Sequence, residues 1–213
     1  AQELTGDGFC GPTRDTDWDD GGKWVVMHRH DWTNDTEGVN RMWSAMFSGV
    51  TKCNITLDQL RALPEDPAVL SKIAEVEVLR SFYYYLLLDN YGEVPYLTTT
   101  VGVPEKPYKI SRTALFDSLT QTVENNLGKL KSIDRKYMVT KYVGYALLAK
   151  LYLNAEVYTG TPEWDKAENY TDSVLFGPFS QEPNLLAPFV TDNENSSEII
   201  FAIAFDEDLA HGF

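Results

Sequence analysis

Apolar residues recur at intervals of three and four along most of the chain, which is the spacing that places them on one face of an α-helix. Gly and Pro interrupt this pattern and mark where each helix should begin or end. The pattern predicts five helices, at about residues 37–63, 67–91, 111–130, 140–158 and 162–175.

Two of these helices carry signals of how they are capped and packed. In the second helix every position from Phe82 to Leu88 is apolar or aromatic, so this half should lie at the centre of the core. Gly92 is expected to cap its C-terminal end, and Ser111 the N-terminal end of the third helix. Glu77 and Arg80, three residues apart, predict a structural ion pair at the edge of the core.

The last two predicted helices resemble one tetratricopeptide-type hairpin, with Ala149 and Tyr152 before the turn and Trp164, Ala167 and Tyr170 after it. A single repeat of this kind cannot bury its own apolar face, so the preceding helices must stack on it. The predicted fold is therefore mainly α, a tetratricopeptide-like helical bundle with a long irregular N-terminal loop and few short strands.

The two ends of the chain lack a helical pattern. Residues 1–37 are rich in Gly, Asp, Thr and Trp and are predicted to be irregular, whereas residues 38–176 form the helical scaffold. Within residues 177–213, the run Glu198–Phe205 (EIIFAIAF) is predicted to be a buried strand. Because no partner strand is evident, we expect residues 1–213 to form a single incomplete domain of a longer polypeptide.

Charge restricts the partners of the protein. The formal net charge is −14, whereas nucleic-acid binding needs a basic surface, so nucleic acids and anionic membranes are poor partners. No apolar run reaches the roughly 18 residues of a membrane-spanning helix. Cys10 and Cys53 lack the paired spacing of a zinc site, and a disulfide between them stays an open alternative.

The second predicted helix also carries a family resemblance. Residues 74–85 (AEVEVLRSFYYY), followed by residues 91–95 (YGEVP), resemble the signature of the SusD/RagB outer-membrane glycan-binding lipoproteins. Further blocks occur in the order in which that family has them, at residues 32–33 with 42–44, residues 146–158 with 164–175, and residues 195–201.

The resemblance implies a SusD-like fold and a function without catalysis. Such proteins bind oligo- or polysaccharide at the extracellular face of the outer membrane and deliver it to a SusC-like TonB-dependent transporter. The resemblance also implies outer-membrane association through a lipid anchor that is absent from this chain. No cofactor is expected. Trp32 and Trp43, which lie in the matching blocks, are expected to be core residues.

The candidate binding residues lie in an acidic loop at residues 12–24 (PTRDTDWDDGGKW). A sugar ring packs its C–H face on an aromatic ring, while its hydroxyls bond to carboxylate, amide or guanidinium groups. The candidate glycan contacts are Trp18, Arg14, Asp17, Asp19 and Trp24. The alternative is structural: Trp18 packs within the loop, and Arg14 and Asp17 hold the loop to itself.

Other chemistry has less support from the residues. Asp15, Asp17 and Asp19 alternate as in a calcium loop, but the Gly and Glu of an EF-hand are missing from their positions, so no metal is assigned. His28 and His30 could share an ion on a strand, but no third ligand can be named. Acidic residues lie mostly in loops without a glycosidase motif, so we expect no enzyme. The alternative function is a helical-repeat scaffold that binds another protein and has no glycan site.

Overall fold

The structure, a computed structural model, describes residues 2–6, 8–16, 19–133, 136–191 and 193–204. The predicted mainly helical architecture is confirmed. The elements within these ranges are α1 (Lys23–His28), α2 (Glu37–Arg61), α3 (Pro67–Tyr91), β1 (Val94–Pro95), β2 (Lys109–Ile110), α4 (Arg112–Asn126), α5 (Lys141–Leu153), α6 (Ala155–Thr159) and α7 (Trp164–Leu175). None of the helices in these ranges is both long enough and apolar enough to cross a membrane.

The chain divides into two compact units, Ala1–Gly49 and Val50–Phe213, and α2 contributes residues to both. Four short 3-10 helices complete the described secondary structure, at Gln2–Thr5, Leu127–Lys129, Ala187–Phe189 and Asn193–Asn195. The assignment of residues 1–213 to a single SusD-like domain stays a prediction.

The first unit contains a helix, α1, in the segment that was predicted to be irregular. Met27 of α1 is buried, and a β-carbon added to Gly38 would lie 3.3 Å from the Met27 Sδ, so the two segments are closely packed. Lys23 and Arg41 both pair with Glu37, at 3.2 and 2.6 Å. Because α1 has six residues, fewer than two turns, it is too short to display a helical period in the sequence.

Local signals set both ends of α3. Asp66 accepts a hydrogen bond from the Ala68 N–H at 2.7 Å, and Pro67 occupies the first helical position, where its missing N–H costs no hydrogen bond. At the other end the Gly92 N–H donates to the Leu88 carbonyl at 3.0 Å. The predicted cap at Gly92 is therefore confirmed.

The core of the second unit lies among α3, α4 and α5, because α4 contacts both of the other helices. Ser111 caps α4 as predicted, accepting a hydrogen bond from the Ala114 N–H at 3.2 Å. A β-carbon on Gly144 would lie 2.8 Å from the Leu127 Cδ2, so α5 comes so close at this glycine that a larger residue would displace the leucine side chain. The largest fully buried side chains are Tyr84, Leu57, Leu87, Leu88, Leu115, Leu119, Leu148, Leu151, Val50, Val78, Val94 and Val123.

Helices α5 and α7 pack against each other and form the predicted hairpin. The rings of Tyr152 and Tyr170 stack with centroids 5.7 Å apart and an interplanar angle of 5°. Both hydroxyls donate to Glu124 on α4, at 2.7 and 3.0 Å, so one carboxylate joins three helices. Burial and this hydrogen bond raise the pKa of Tyr170 to about 12.

The single helix predicted over residues 140–158 is instead two helices, α5 and α6. Asn154, between them, has φ of −101° and ψ of 11°, which leaves helical geometry. Its N–H bonds to the Leu151 carbonyl three residues earlier, the closing pattern of a helix end. Gly160 then ends α6 in the left-handed conformation, with φ of 81°.

The sheet is a short antiparallel hairpin in which Val94 pairs with Ile110 and Pro95 pairs with Lys109. Its connection, residues 96–108, is held at its beginning by side chains from α2 and α3.

Tyr84 and Asn54 fix the backbone of Leu97. The Tyr84 hydroxyl donates to the Leu97 carbonyl at 3.0 Å and accepts from the Leu97 N–H at 2.7 Å, and the Asn54 amide donates to the same carbonyl at 2.9 Å. Asp58 accepts from the Thr100 N–H at 2.8 Å. Burial raises the pKa of Tyr84 to about 12.

The strand predicted at residues 198–205 is wrong for residues 198–204, which have no strand assignment; Phe205 lies outside the described residues. A strand requires a ladder of backbone hydrogen bonds to a neighbour. Within the described ranges, the backbone of residues 198–204 makes a single backbone–backbone hydrogen bond, from the Ala202 N–H to the Lys136 carbonyl at 2.7 Å. Ile203 is 66% exposed, so this residue is not buried.

The two cysteines are free thiols, Cys10 exposed and Cys53 buried. The open alternative of a disulfide is therefore not realised in this structure. Burial raises the pKa of Cys53 to about 11, which keeps the thiol protonated and unreactive near neutral pH.

Candidate functional site

The acidic loop at residues 12–24 is described in part. Of the five predicted glycan contacts, Asp17 and Trp18 lie outside the described residues, and their roles stay predictions. Arg14 and Asp19 are exposed, and Trp24 is half-buried in the first turn of α1.

Asp20, which the sequence did not single out, organises this loop. Its Oδ1 accepts hydrogen bonds from the Thr13 hydroxyl at 2.5 Å and the Gly22 N–H at 3.0 Å, and its Oδ2 accepts from the Trp24 N–H at 3.2 Å. These donors, the Thr13 hydroxyl first, lower the pKa of Asp20. Asp20 therefore connects the start of the loop to the N-terminal end of α1.

Asp19 has a similar local contact, since its Oδ1 accepts from the Gly21 N–H at 2.9 Å. Gly21 and Gly22 have φ of 65° and 78°, the left-handed region that glycine adopts without a steric penalty. The loop therefore turns into α1 through a glycine pair, and Asp19 lies at that turn with its side chain exposed.

Trp24 is packed on two sides. A β-carbon added to Gly11 would lie 3.0 Å from the Trp24 Cβ, so the loop backbone lies directly against the base of this side chain. The Lys23 ammonium lies 4.9 Å from the centroid of the Trp24 ring, within the range of a cation–π contact. These contacts give Trp24 a structural role in the loop in addition to its predicted role in binding.

Trp32 is an exposed indole, and its predicted place in the core is wrong. The residue is 40% exposed, and the His30 ring contacts its ring edge-on, with centroids 5.1 Å apart. His30 has φ of 60° and its Nε2 lies 2.8 Å from the Thr5 carbonyl oxygen, which fixes the ring that supports Trp32. The signal that could have identified this residue is its polar flanks, Asp31 on one side and Asn34 nearby on the other.

Trp43 differs from Trp32, since it is half-buried and tilted against Phe47 with centroids 4.6 Å apart. His28 ends α1 and His30 follows in a turn, so the two histidines do not share the face of a strand. In the described ranges, no three His, Cys, Asp or Glu side chains form a group that could hold a metal ion.

The first unit exposes groups that are suited to binding a ligand. A half-exposed indole offers an apolar face, and exposed Arg14 and Asp19 offer a donor and an acceptor. A general acid must be protonated at the working pH, whereas the hydrogen bonds of Asp20 favour its ionised form.

Several solved structures share the fold of this chain. A SusD superfamily protein from Parabacteroides distasonis has a TM-score of 0.81 and 18% identity, over 88% of this chain and 42% of its own. Surface glycan-binding protein A from Bacteroides uniformis has a TM-score of 0.79 and 21% identity, over 93% of this chain and 44% of its own. A protein crystallised with a xylogluco-oligosaccharide has a TM-score of 0.77 and 20% identity, over 86% of this chain and 39% of its own.

Sequence comparison agrees with the fold. The starch-binding protein SusD of Bacteroides thetaiotaomicron is 26% identical over 185 residues, which are 82% of this chain and 32% of that protein. This chain therefore spans about a third of the length of that relative. The SusD-like family described as "Starch-binding associating with outer membrane" matches residues 12–153, more than half of the sequence. The resemblance carried by residues 74–95 is thus confirmed, and this chain belongs to the SusD-like family.

Proposed function

We propose that this chain is part of a non-catalytic surface protein that binds oligo- or polysaccharide and delivers it to a SusC-like TonB-dependent outer-membrane transporter. Membership of a family of starch-binding proteins supports carbohydrate as the ligand class. The structural relative crystallised with a xylogluco-oligosaccharide supports it further. The observation that carries the proposal is the exposed indole of Trp32 in the first unit.

The binding mode follows from the groups that this unit exposes. The Trp32 ring packs on the C–H face of a sugar, and its edge contact with His30 limits its rotation, so little side-chain entropy is lost on binding. Arg14 and Asp19 bond to hydroxyls, and Trp18 and Asp17 complete the predicted set of contacts. A neutral saccharide needs no countercharge, which is compatible with a net charge of −14.

Affinity gel electrophoresis against starch, xyloglucan and other neutral polysaccharides tests this function. We expect the protein to be retarded by at least one polymer and the Trp32→Ala variant to bind about tenfold more weakly, equivalent to about 1.4 kcal/mol. Trp18→Ala should have an effect of similar size. The matched control is Trp164→Ala, which removes an indole that is 51% exposed on α7.

Two results would contradict the proposal. The first is no retardation of the protein by any polymer in the panel. The second is equal weakening by Trp164→Ala and Trp32→Ala, because the Trp32 indole would then have no specific role. Far-ultraviolet circular dichroism of each variant establishes that its helical content is retained.

Delivery to a transporter and attachment to the outer membrane are the finer parts of the proposal. They predict that the full-length protein fractionates with the outer membrane and copurifies with a TonB-dependent transporter after mild detergent extraction. If the full-length protein is recovered in the soluble fraction without a transporter, delivery and membrane attachment are contradicted. The proposal of saccharide binding is then unaffected.

A protein-docking scaffold is the second candidate function, and one observation favours it. Helices α5 and α7 border an apolar groove of 530 Å³, lined in part by Ala149, Leu153 and Trp164. Leu153 and Trp164 are 56% and 51% exposed, so their apolar surface is accessible to a partner helix. For this function Trp164→Ala would abolish copurification of a protein partner, and Trp32→Ala would leave it unchanged.

A further inference from the structure

A polar pocket of 460 Å³ lies in the second unit, where α3 ends and α4 begins. Its lining includes Glu93, Lys109 and Arg112, with Val157 and Tyr158 supplying an apolar wall. This volume falls in the range of about 300–1,000 Å³ that is typical of small-ligand sites. None of these residues is among the predicted glycan contacts.

Arg112 is the best-positioned group in this pocket. Its Nη1 donates to the Val157 carbonyl at 3.3 Å, and among the described residues this is its one side-chain hydrogen bond. A β-carbon added to Gly92 would lie 2.9 Å from the Arg112 Nη2, so the missing side chain at Gly92 is what makes room for the guanidinium. The guanidinium is therefore held between the Val157 carbonyl and Gly92, with its Nε–Nη2 edge facing the glycine.

Lys109 adds a second positive charge to the same pocket. Its Nζ lies 3.7 Å from Glu93, and the two side chains are 62% and 59% exposed, so the pair is long and screened by solvent. Tyr158 contributes its ring alone, because its hydroxyl already donates to Asp89 at 2.7 Å. Two cations with weak partners thus face one pocket in a chain whose net charge is −14.

From this arrangement we infer that the pocket binds the carboxylate of an acidic sugar, a uronic acid residue of a saccharide. The guanidinium of Arg112 supplies a fixed positive charge for a carboxylate, and Lys109 supplies a second charge beside it. Val157 and the Tyr158 ring pack against the C–H face of the same sugar. The inference rests on the proposed saccharide-binding function and assigns it a second subsite with a charged ligand.

Ligand-observed NMR with glucuronate and glucose tests the inference, because these sugars differ only in the carboxylate. We expect saturation transfer from the protein to glucuronate at least about fivefold stronger than to glucose. Arg112→Gln should reduce the glucuronate signal about tenfold and Lys109→Gln about threefold. The control Arg41→Gln removes a guanidinium of the first unit that is 70% exposed, and it should leave the glucuronate signal unchanged. If the circular dichroism spectrum of Arg112→Gln shows that this variant is unfolded, the Lys109→Gln variant alone tests the inference.

Three outcomes would overturn the inference. These are equal signals for glucuronate and glucose, full binding of glucuronate by the folded variants, and displacement of glucuronate by equimolar acetate, which would make the site a general anion site. Trp32→Ala separates the two proposals. If the protein binds polysaccharide through Trp32 but gives no glucuronate signal, only this inference is removed. If it gives a glucuronate signal but binds no polysaccharide, the proposed function in the first unit is removed.

Discussion

Arg80 is the centre of a buried polar network that joins α2, α3 and the connection after β1. Its guanidinium donates to the Asn54 side-chain oxygen at 2.8 Å and to the Thr98 carbonyl at 2.9 Å, and it forms the predicted ion pair with Glu77. Arg80 is 4% exposed and Glu77 7% exposed. Glu77 also pairs with Arg61.

The cost of replacing Arg80 by Met follows from these contacts. Met retains most of the apolar stem, so the loss is electrostatic rather than one of packing. The buried oxygens of Asn54 and Glu77 each lose a donor, at about 1–3 kcal/mol apiece. Because Arg61 still pairs with Glu77, and Thr98 is exposed and can bond to water, we expect a total of about 3–5 kcal/mol, the range for breaking a buried ion pair.

Urea unfolding followed by circular dichroism measures this cost as a shift in midpoint at constant slope. The control is Arg61→Met, which removes the other partner of Glu77 from a side chain that is 42% exposed. It should cost below about 1 kcal/mol. Equal costs for the two variants, or a cost below about 1 kcal/mol for Arg80→Met, would refute the reasoning that burial decides the strength of this network.

Three further predictions concern pH, a turn and the three-helix contact. Burial raises the pKa of Tyr84 to about 12, whereas a tyrosine in the unfolded chain has a pKa of about 10. The stabilising contribution of Tyr84 should therefore be complete below about pH 10 and should fall between about pH 10 and 12. In urea unfolding across that range, the free energy of unfolding should decline less steeply with pH for Tyr84→Phe. Gly92→Ala should destabilise the protein more than Gly160→Ala does, by about 1 kcal/mol. Both residues have positive φ, but Gly160 is in the left-handed helical region, whereas Gly92, with ψ of −94°, lies outside it. Equal melting temperatures would contradict this. Tyr170→Phe removes one donor from Glu124 and should cost about 0.5–1.5 kcal/mol in thermal unfolding, whereas an unchanged Tm would mean that the exposed carboxylate bonds equally well to water.

The predictable part of the fold is the part with local signals. Helix α3 was predicted from its proline start and glycine stop, both of which act within one turn of the residues concerned. The break at Asn154 was not predictable in this way, because asparagine at that position is compatible with a helix until its neighbours are known. The contact between Asn54 and Leu97 spans 43 residues, a separation at which the sequence pattern carries no information.

The candidate site was less predictable than the fold for a related reason. Whether Trp32 is exposed depends on what packs around it. Its polar flanks resemble those of Trp18, but its place in a block that matches the family indicated the core instead. Asp20 was missed because its importance lies in three hydrogen bonds that form only when Thr13 and the glycine turn come together. Arg112 was missed because its neighbour Val157 lies 45 residues away.

The connection between β1 and β2 has a practical consequence. Its beginning is fastened by Asn54, Asp58 and Tyr84, whereas Val101 and Tyr108 at its far end are 75% and 86% exposed and Gly102 has open space around it. Strain introduced at the far end should therefore not reach the helices. An epitope tag or a fluorophore inserted beside Gly102 would report on the molecule in living cells while the scaffold keeps its native form.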